Sequence, residues 1–202
     1  WAKLFGLGEK TGIELPYEAA GIRSNKEYKR KVKSEEWWIA DTAQSSIGQL
    51  YNEFTPLQLA NYAATIANDG KRYKPTIIKT VMDQNGAIVS ENQPAFEQVP
   101  VSPGTLETIR QGMYSVAQSV DGTAEKVFRD FPIKVAGKTG TAETGMEETS
   151  SSNALFVCYA PAEDPRIAVA VVVEHGVWGS YTAPIARDIL TAYFSAYGED
   201  SN

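Results

Sequence analysis

Apolar positions fall at helical spacing in three stretches of the chain and at strand-like density in three others. After Thr55-Pro56, the residues Leu57, Leu59, Ala60, Ala63, Ala64 and Ala67 keep a helical period until Asn68-Asp69-Gly70 interrupts it. Threonine is a good N-cap and proline fits the first turn, so this spacing predicts a helix that stops at that Asn-Asp-Gly run. Ser102-Pro103 repeats the capped start, and Leu106, Ile109, Met113, Val116 and Ala117 carry a second helix to about Ser119. From Pro184, a stripe of Ile185, Ile189, Leu190, Tyr193 and Phe194 predicts a third helix lying on a sheet. That sheet is read from Ile133 to Ala142, Leu155 to Tyr159 and Ile167 to Val173. The intervening turns, Pro161 to Pro165 and Gly176 to Gly179, are too short for crossover helices, so consecutive strands are expected to pair antiparallel. Residues 75–91 predict a hairpin around Gln84-Asn85-Gly86, because Asn-Gly suits a tight turn. The opening 25 residues carry Gly6, Gly8, Gly12, Pro16 and Gly21 and read as a long ordered loop. Thr144 to Ser152 reads as a polar, mobile loop, and no internal repeat is visible.

Together these elements give an α+β chain, an antiparallel β-sheet covered by helices. With 202 residues, 43% of them hydrophobic and 22% charged, the sequence is long enough to bury a core without disulfides or metal. Cys158 is the only cysteine and His175 the only histidine, which removes an internal disulfide and a Cys/His zinc site. A formal charge of −6 argues against a phosphate-backbone partner, so nucleic acid is not expected. The basic stretch Arg23, Lys26, Lys29, Arg30, Lys31 and Lys33 is then read as a solvated face. The longest wholly apolar runs, Ala154 to Ala160 and Ile167 to Val173, have seven residues each, far short of the roughly 18 to 20 that span a bilayer. A start at Trp1, inside what reads as a structured segment, leads us to expect a piece of a longer protein.

Candidate chemistry concentrates in Lys134-Val-Ala-Gly-Lys-Thr-Gly-Thr-Ala-Glu143. Alternation along a strand puts Thr139 and Thr141 on one face and Lys138 and Gly140 on the other. Glycine at 140 lets another backbone or a helix approach, and it leaves neighbouring N–H groups reachable. Two hydroxyls, an ammonium and exposed amides on one strand edge make a receptor for an extended peptide with an anionic end. The tripeptide by itself is equally compatible with a surface strand of small residues.

Its surroundings add weight. Lys138-Thr139-Gly140 resembles the K-T-G element of penicillin-binding proteins and serine β-lactamases. Phe5-Gly-Leu-Gly-Glu-Lys-Thr-Gly-Ile-Glu-Leu-Pro16, Trp38 through Asp41-Thr42, Ser46-Ile-Gly-Gln49, Thr55-Pro-Leu-Gln-Leu-Ala60 and Ala67-Asn-Asp-Gly70 follow in the order typical of class B penicillin-binding protein transpeptidase domains. Gly137 to Glu143, Phe156 to Pro161 and Ala183-Pro-Ile-Ala186 continue the resemblance, which covers nearly the whole chain. It implies that residues 1–202 are the C-terminal portion of such a domain, from a D,D-transpeptidase that cross-links peptidoglycan stem peptides ending in D-Ala-D-Ala and is acylated by β-lactams. The parent would act at the extracytoplasmic face of the bacterial cell membrane, with no cofactor. Carried over by residue, Lys138 organises the site electrostatically, the Thr139 and Thr141 hydroxyls bind the terminal carboxylate beside Gly140, and the Thr141 N–H is one oxyanion donor.

The chain departs from the family at the nucleophile. No lysine has a serine three residues before it, so there is no S-x-x-K; Thr123 before Lys126 is a near miss. Ser151-Ser152-Asn153 fits S-x-N but follows K-T-G instead of preceding it, and is read as chance. The nucleophile, its base and the middle motif are therefore expected ahead of Trp1, in the part of the domain that is a partner for this one. A triad of His175 with Ser180 and Asp188 lacks a Gly-x-Ser-x-Gly turn, and Glu143, Glu147 and Glu148 read as solvated loop charges. Trp37-Trp38 and Tyr51 read as packing residues. Two alternatives stay open: a β-lactamase or D,D-carboxypeptidase of the same fold, and a non-catalytic β-lactam sensor or scaffold.

Overall fold

The structure is a computed structural model that describes residues 1–143 and 152–198. Most of the predicted polar loop, including Glu147, Glu148 and Ser151, lies outside the described residues. Residues 1–25 are loop and turn, as their glycine and proline content predicts. The Glu18 carboxylate ties this loop, accepting from Thr11 N, Thr11 Oγ1 and Gly12 N. Asn25 then caps α1 (Lys26–Tyr28), which runs into a π-helical turn at Lys29–Lys33, and α2 (Ile39–Ser46) follows. The apolar positions of α2 and its end, Ile39 and Ile47, stay exposed, and Asp41 is the only buried residue of the helix. Asp41 meets Lys29, whose Nζ lies 2.8 Å from Oδ2. Lys29 is therefore a correction to the solvated basic face: it is buried and paired, whereas Lys26, Arg30, Lys31 and Lys33 are exposed. Trp38 corrects the packing expectation, being 68% exposed. Tyr51 does pack, with its ring 5.7 Å from that of Tyr28.

The helix α3 (Pro56–Ala67) starts where predicted, with Thr55 and Gln58 forming a reciprocal capping box. Four short strands follow: β1 (Lys71–Tyr73), β2 (Thr80–Met82), β3 (Ile88–Glu91) and β4 (Phe96–Gln98). The predicted hairpin is β2–β3, narrower than expected because Ile77 and Ile78 precede the strand. Asp83 Oδ1 closes its turn by accepting from Asn85 N and Ala87 N. The antiparallel β1–β4 ribbon, enclosing that hairpin, is not legible in three-residue segments. Next come α4 (Pro103–Gln118), capped by Ser102, and the single turn α5 (Glu125–Phe128).

β5 (Ala136–Ala142), β6 (Asn153–Ala160) and β7 (Ile167–Val173) form an antiparallel sheet in that order, which bears out the expected meander. Register places Thr139 opposite Phe156 and Phe156 opposite Val171. One face, with Phe156, Cys158, Ala160, Val169 and Val171, packs on Phe128 of α5 and on α6 (Ala183–Tyr197). The other face, with Ala136 and Tyr159, packs on Ile66 and Ala67 of α3 and Met113 of α4. The sheet-facing residues of α6 are Ala183, Ala186 and Leu190, flanked by Phe194. Ile185 and Ile189 from the predicted stripe are instead 43% and 41% exposed. The small residues, offset from them by one position, let the helix axis approach the sheet and turn the isoleucines to its flank. Among the described residues no helix is long and apolar enough to cross a membrane.

Candidate active-site cleft at the edge of the three-stranded sheet

The sheet order leaves β5 at an edge, and a cleft of about 1060 Å³ opens beside it. Gly140, Thr141 and Ala142 line one wall, and residues 45–49, the end of α2 and the turn after it, line another. Its floor is apolar, built from Phe5, Leu59, Tyr62, Ile109 and Leu155. Phe5 and Tyr62 meet edge to face at 5.2 Å, so the opening loop and α3 close one end together.

Alternation on β5 runs as the sequence predicts, and the pairing register shows what each face meets. Lys138 and Gly140 share a face with Val157 and Leu155; Thr139 and Thr141 share the other with Phe156 and Ala154. Lys138 is exposed, and its Nζ donates to the Thr139 carbonyl at 2.6 Å. The Thr139 hydroxyl lies 2.8 Å from that of Thr123, and Thr141 Oγ1 accepts from Gly179 N at 3.1 Å. Thr141 and Gly140 thus border the cleft directly, while Lys138 and Thr139 flank it. A backbone does approach Gly140 closely, as expected, but not where its own side chain would stand. An added Cβ on Gly140 would meet Leu155 Cβ at an ordinary 3.4 Å, whereas one on Gly179 would collide with the carbonyl oxygen of Gly140. Gly140 leaves the cleft floor open; Gly179 lets the turn before α6 rest on the back of β5.

Two residues that the sequence reading did not assign to the site lie against β5. Thr123, singled out only as a near miss to S-x-x-K, extends the hydroxyl row of Thr139. Gln49, the end of the Ser-Ile-Gly-Gln run, donates from Nε2 to the Thr141 carbonyl at 3.0 Å across 92 positions of chain. Asn153 opens β6 and its Oδ1 accepts from His175 N at 3.1 Å, a hairpin-base contact. Cys158 lies in the core, where burial pushes its thiol up to about 12, so it is no nucleophile at neutral pH. Among the described residues no three His, Cys, Asp or Glu side chains cluster in a way that would hold a metal ion.

Residues 1–191 match the family described as the penicillin binding protein transpeptidase domain. The chain belongs to this family. The class B resemblance read from the motifs is thereby borne out, and with it the α+β fold. A peptidoglycan D,D-transpeptidase MrdA from Haemophilus influenzae is 32% identical over 96% of the chain and 32% of its own length. Penicillin-binding protein 2B from Streptococcus pneumoniae is 36% identical over 94% of the chain and 28% of its own length. The solved structure of penicillin-binding protein 2B from strain R6 of that species superposes with a TM-score of 0.83 at 32% identity, over 100% of this chain and 32% of that one. The chain therefore spans about a third of the length of the relatives it matches.

Proposed function

We propose that residues 1–202 are the C-terminal portion of the catalytic domain of a serine-type peptidoglycan D,D-transpeptidase, working at the extracytoplasmic face of the bacterial membrane. The observation that carries this reading is the placement of Lys138-Thr139-Gly140-Thr141 on an edge strand bordering a cleft with an apolar floor. Relatives with transpeptidase and penicillin-binding names support it over a β-lactamase, carboxypeptidase or sensor. In this reading a serine outside these residues attacks the penultimate D-Ala carbonyl, the amide C–N bond breaks, and D-Ala leaves with the proton. An acceptor amine of a second stem peptide then takes the acyl group.

Three residues of β5 have a part in that chemistry. In an antiparallel strand a residue points its N–H and C=O to the same side. Thr141, whose carbonyl receives Gln49, therefore also points its N–H away from β6, where an acyl oxygen can use it. The Thr139 and Thr141 hydroxyls sit two residues apart on one face and suit a terminal carboxylate, with Thr123 as a neighbouring donor. The Lys138 ammonium adds a positive field at a partly dry cleft, where charge acts more strongly than in water.

Fluorescent penicillin and intact mass test the reading. The complete protein should gain one adduct, and the isolated 202-residue chain, which has no S-x-x-K, should gain none. In the complete protein Lys138→Ala should slow acylation by about 10²-fold, on the scale of a lost electrostatic contact at a transition state. A stoichiometric adduct on the isolated chain, or unchanged acylation of folded Lys138→Ala, would overturn it.

A further inference from the structure

An edge strand exposes every second carbonyl and N–H to any strand that would add to it. On β5 and the residue just before it, the outward groups belong to the odd-numbered positions, and side chains already hold three of the carbonyls. Val135 O accepts from Gln118 Nε2 at 3.3 Å, Thr139 O from Lys138 Nζ at 2.6 Å and Thr141 O from Gln49 Nε2 at 3.0 Å. The three caps differ in origin. Gln118 belongs to α4 and Lys138 to β5 itself, but Gln49 reaches from another wall of the cleft.

The backbone of Gln49 is held for this contact. Its N–H donates to Gln44 O at 3.0 Å, and its carbonyl accepts from Asn52 Nδ2 at 3.0 Å. Asn52 is fixed in turn, since its Oδ1 accepts from Ser24 N at 2.9 Å. The preceding Gly48 has φ +84°, a turn conformation that favours glycine. With the backbone so placed, the carboxamide nitrogen meets the Thr141 carbonyl at hydrogen-bond distance.

We infer that Gln49 is a latch on the β5 edge: its carboxamide occupies the Thr141 carbonyl that an incoming amide N–H must use, and so selects among ligands of the cleft. The latch rests on the transpeptidase reading above. With it closed, Thr139 and Thr141 offer their N–H donors while the carbonyls of both are already held. A ligand that needs only donors enters without moving Gln49. One that pairs as an added strand, donating an N–H to Thr141 O, must first displace the carboxamide, which then loses its hydrogen bond.

Two β-lactams separate the cases in the complete protein. Benzylpenicillin carries an acylamino N–H; a carbapenem with a hydroxyethyl side chain has no amide N–H in that place. The readout is the ratio of their second-order acylation rate constants, penicillin over carbapenem, for wild type, Gln49→Met and Gln49→Asn. Methionine nearly keeps the volume without the donor, and asparagine is one methylene too short to reach. Both variants should raise the ratio about three- to tenfold, the value of one net hydrogen bond. Adducts that form with an unchanged or lowered ratio overturn the latch and leave the transpeptidase reading standing. Loss of both adducts in both variants also overturns it, since Gln49 would then be required where a latch obstructs. Failure of wild type to form either adduct overturns the transpeptidase reading, and the latch falls with it.

Discussion

Gly179 touches the backbone of β5 without a side chain in between, and its replacement tests how closely the turn before α6 is seated. A methyl group there collides with Gly140 O and lies 2.8 Å from Gly140 N. Neither atom can rotate away, because both belong to a paired strand. Gly179→Ala should therefore destabilise the domain by about 1 to 3 kcal/mol, the usual cost of overpacking. Gly112 is the opposite case: it sits exposed in the interior of α4 with nothing within 4 Å of an added Cβ. Gly112→Ala should stabilise by about 0.5 to 1 kcal/mol through helix propensity alone. Thermal unfolding of the two variants should move in opposite directions from wild type; a shared direction would contradict the geometry at Gly179.

Among the elements, α2 owes its place to charge more than to apolar burial. Lys29 and Asp41 are both buried, and Asp41 Oδ2 also accepts from Trp38 N at 2.6 Å. The hydrogen bond from Lys29, then that from Trp38, holds the Asp41 carboxyl below its ordinary 3.8. A carboxyl with the lower pKa in the folded state favours folding once ionised. Its contribution is complete above the unfolded value and is lost as pH falls through the folded one. The difference in unfolding temperature between wild type and Asp41→Asn should be constant above about pH 5 and shrink below 3.8. A difference that does not shrink as pH falls below 3.8 would remove the pair as its source. The same segment shows why part of the structure escapes a sequence reading. α3 and α4 announce themselves through Thr55-Pro56, Ser102-Pro103 and a 3.6-residue apolar period, and β6 and β7 through unbroken apolar runs. α2 is only eight residues long and leaves Ile39 exposed, and β1 and β4 are three residues long, too short to display an alternation. At the cleft, the K-T-G strand was legible from residue types, but the Gln49 contact joins positions 92 apart and depends on a fold no local pattern encodes.

For the whole molecule, the cleft has walls of unequal origin. One is the edge of a sheet whose strands are contiguous along the chain from Ala136 to Val173. The other is drawn from the first 52 residues and, beyond the packing of Phe5 in the core, is joined to the rest by scattered ties: Ile22 pairs with Glu53, Gln58 Nε2 donates to Glu9 O and Ala20 O, and Gln49 reaches Thr141. Segments tied mainly by hydrogen bonds open at lower free energy than sheets buried on both faces. The cleft should accordingly come apart along one wall while the sheet stays intact. Native-state hydrogen exchange is expected to show amides of residues 20–52 exchanging through local opening, and those of β6 only through global unfolding; equal protection of the two would refute it. Assembly runs the same course in reverse. A meander of near neighbours closes small loops and condenses early, and contacts spanning 92 residues wait for it. Gln49 meets Thr141 late on the way in and leaves it early on the way out, so the mouth of the cleft is also the folding seam of the molecule.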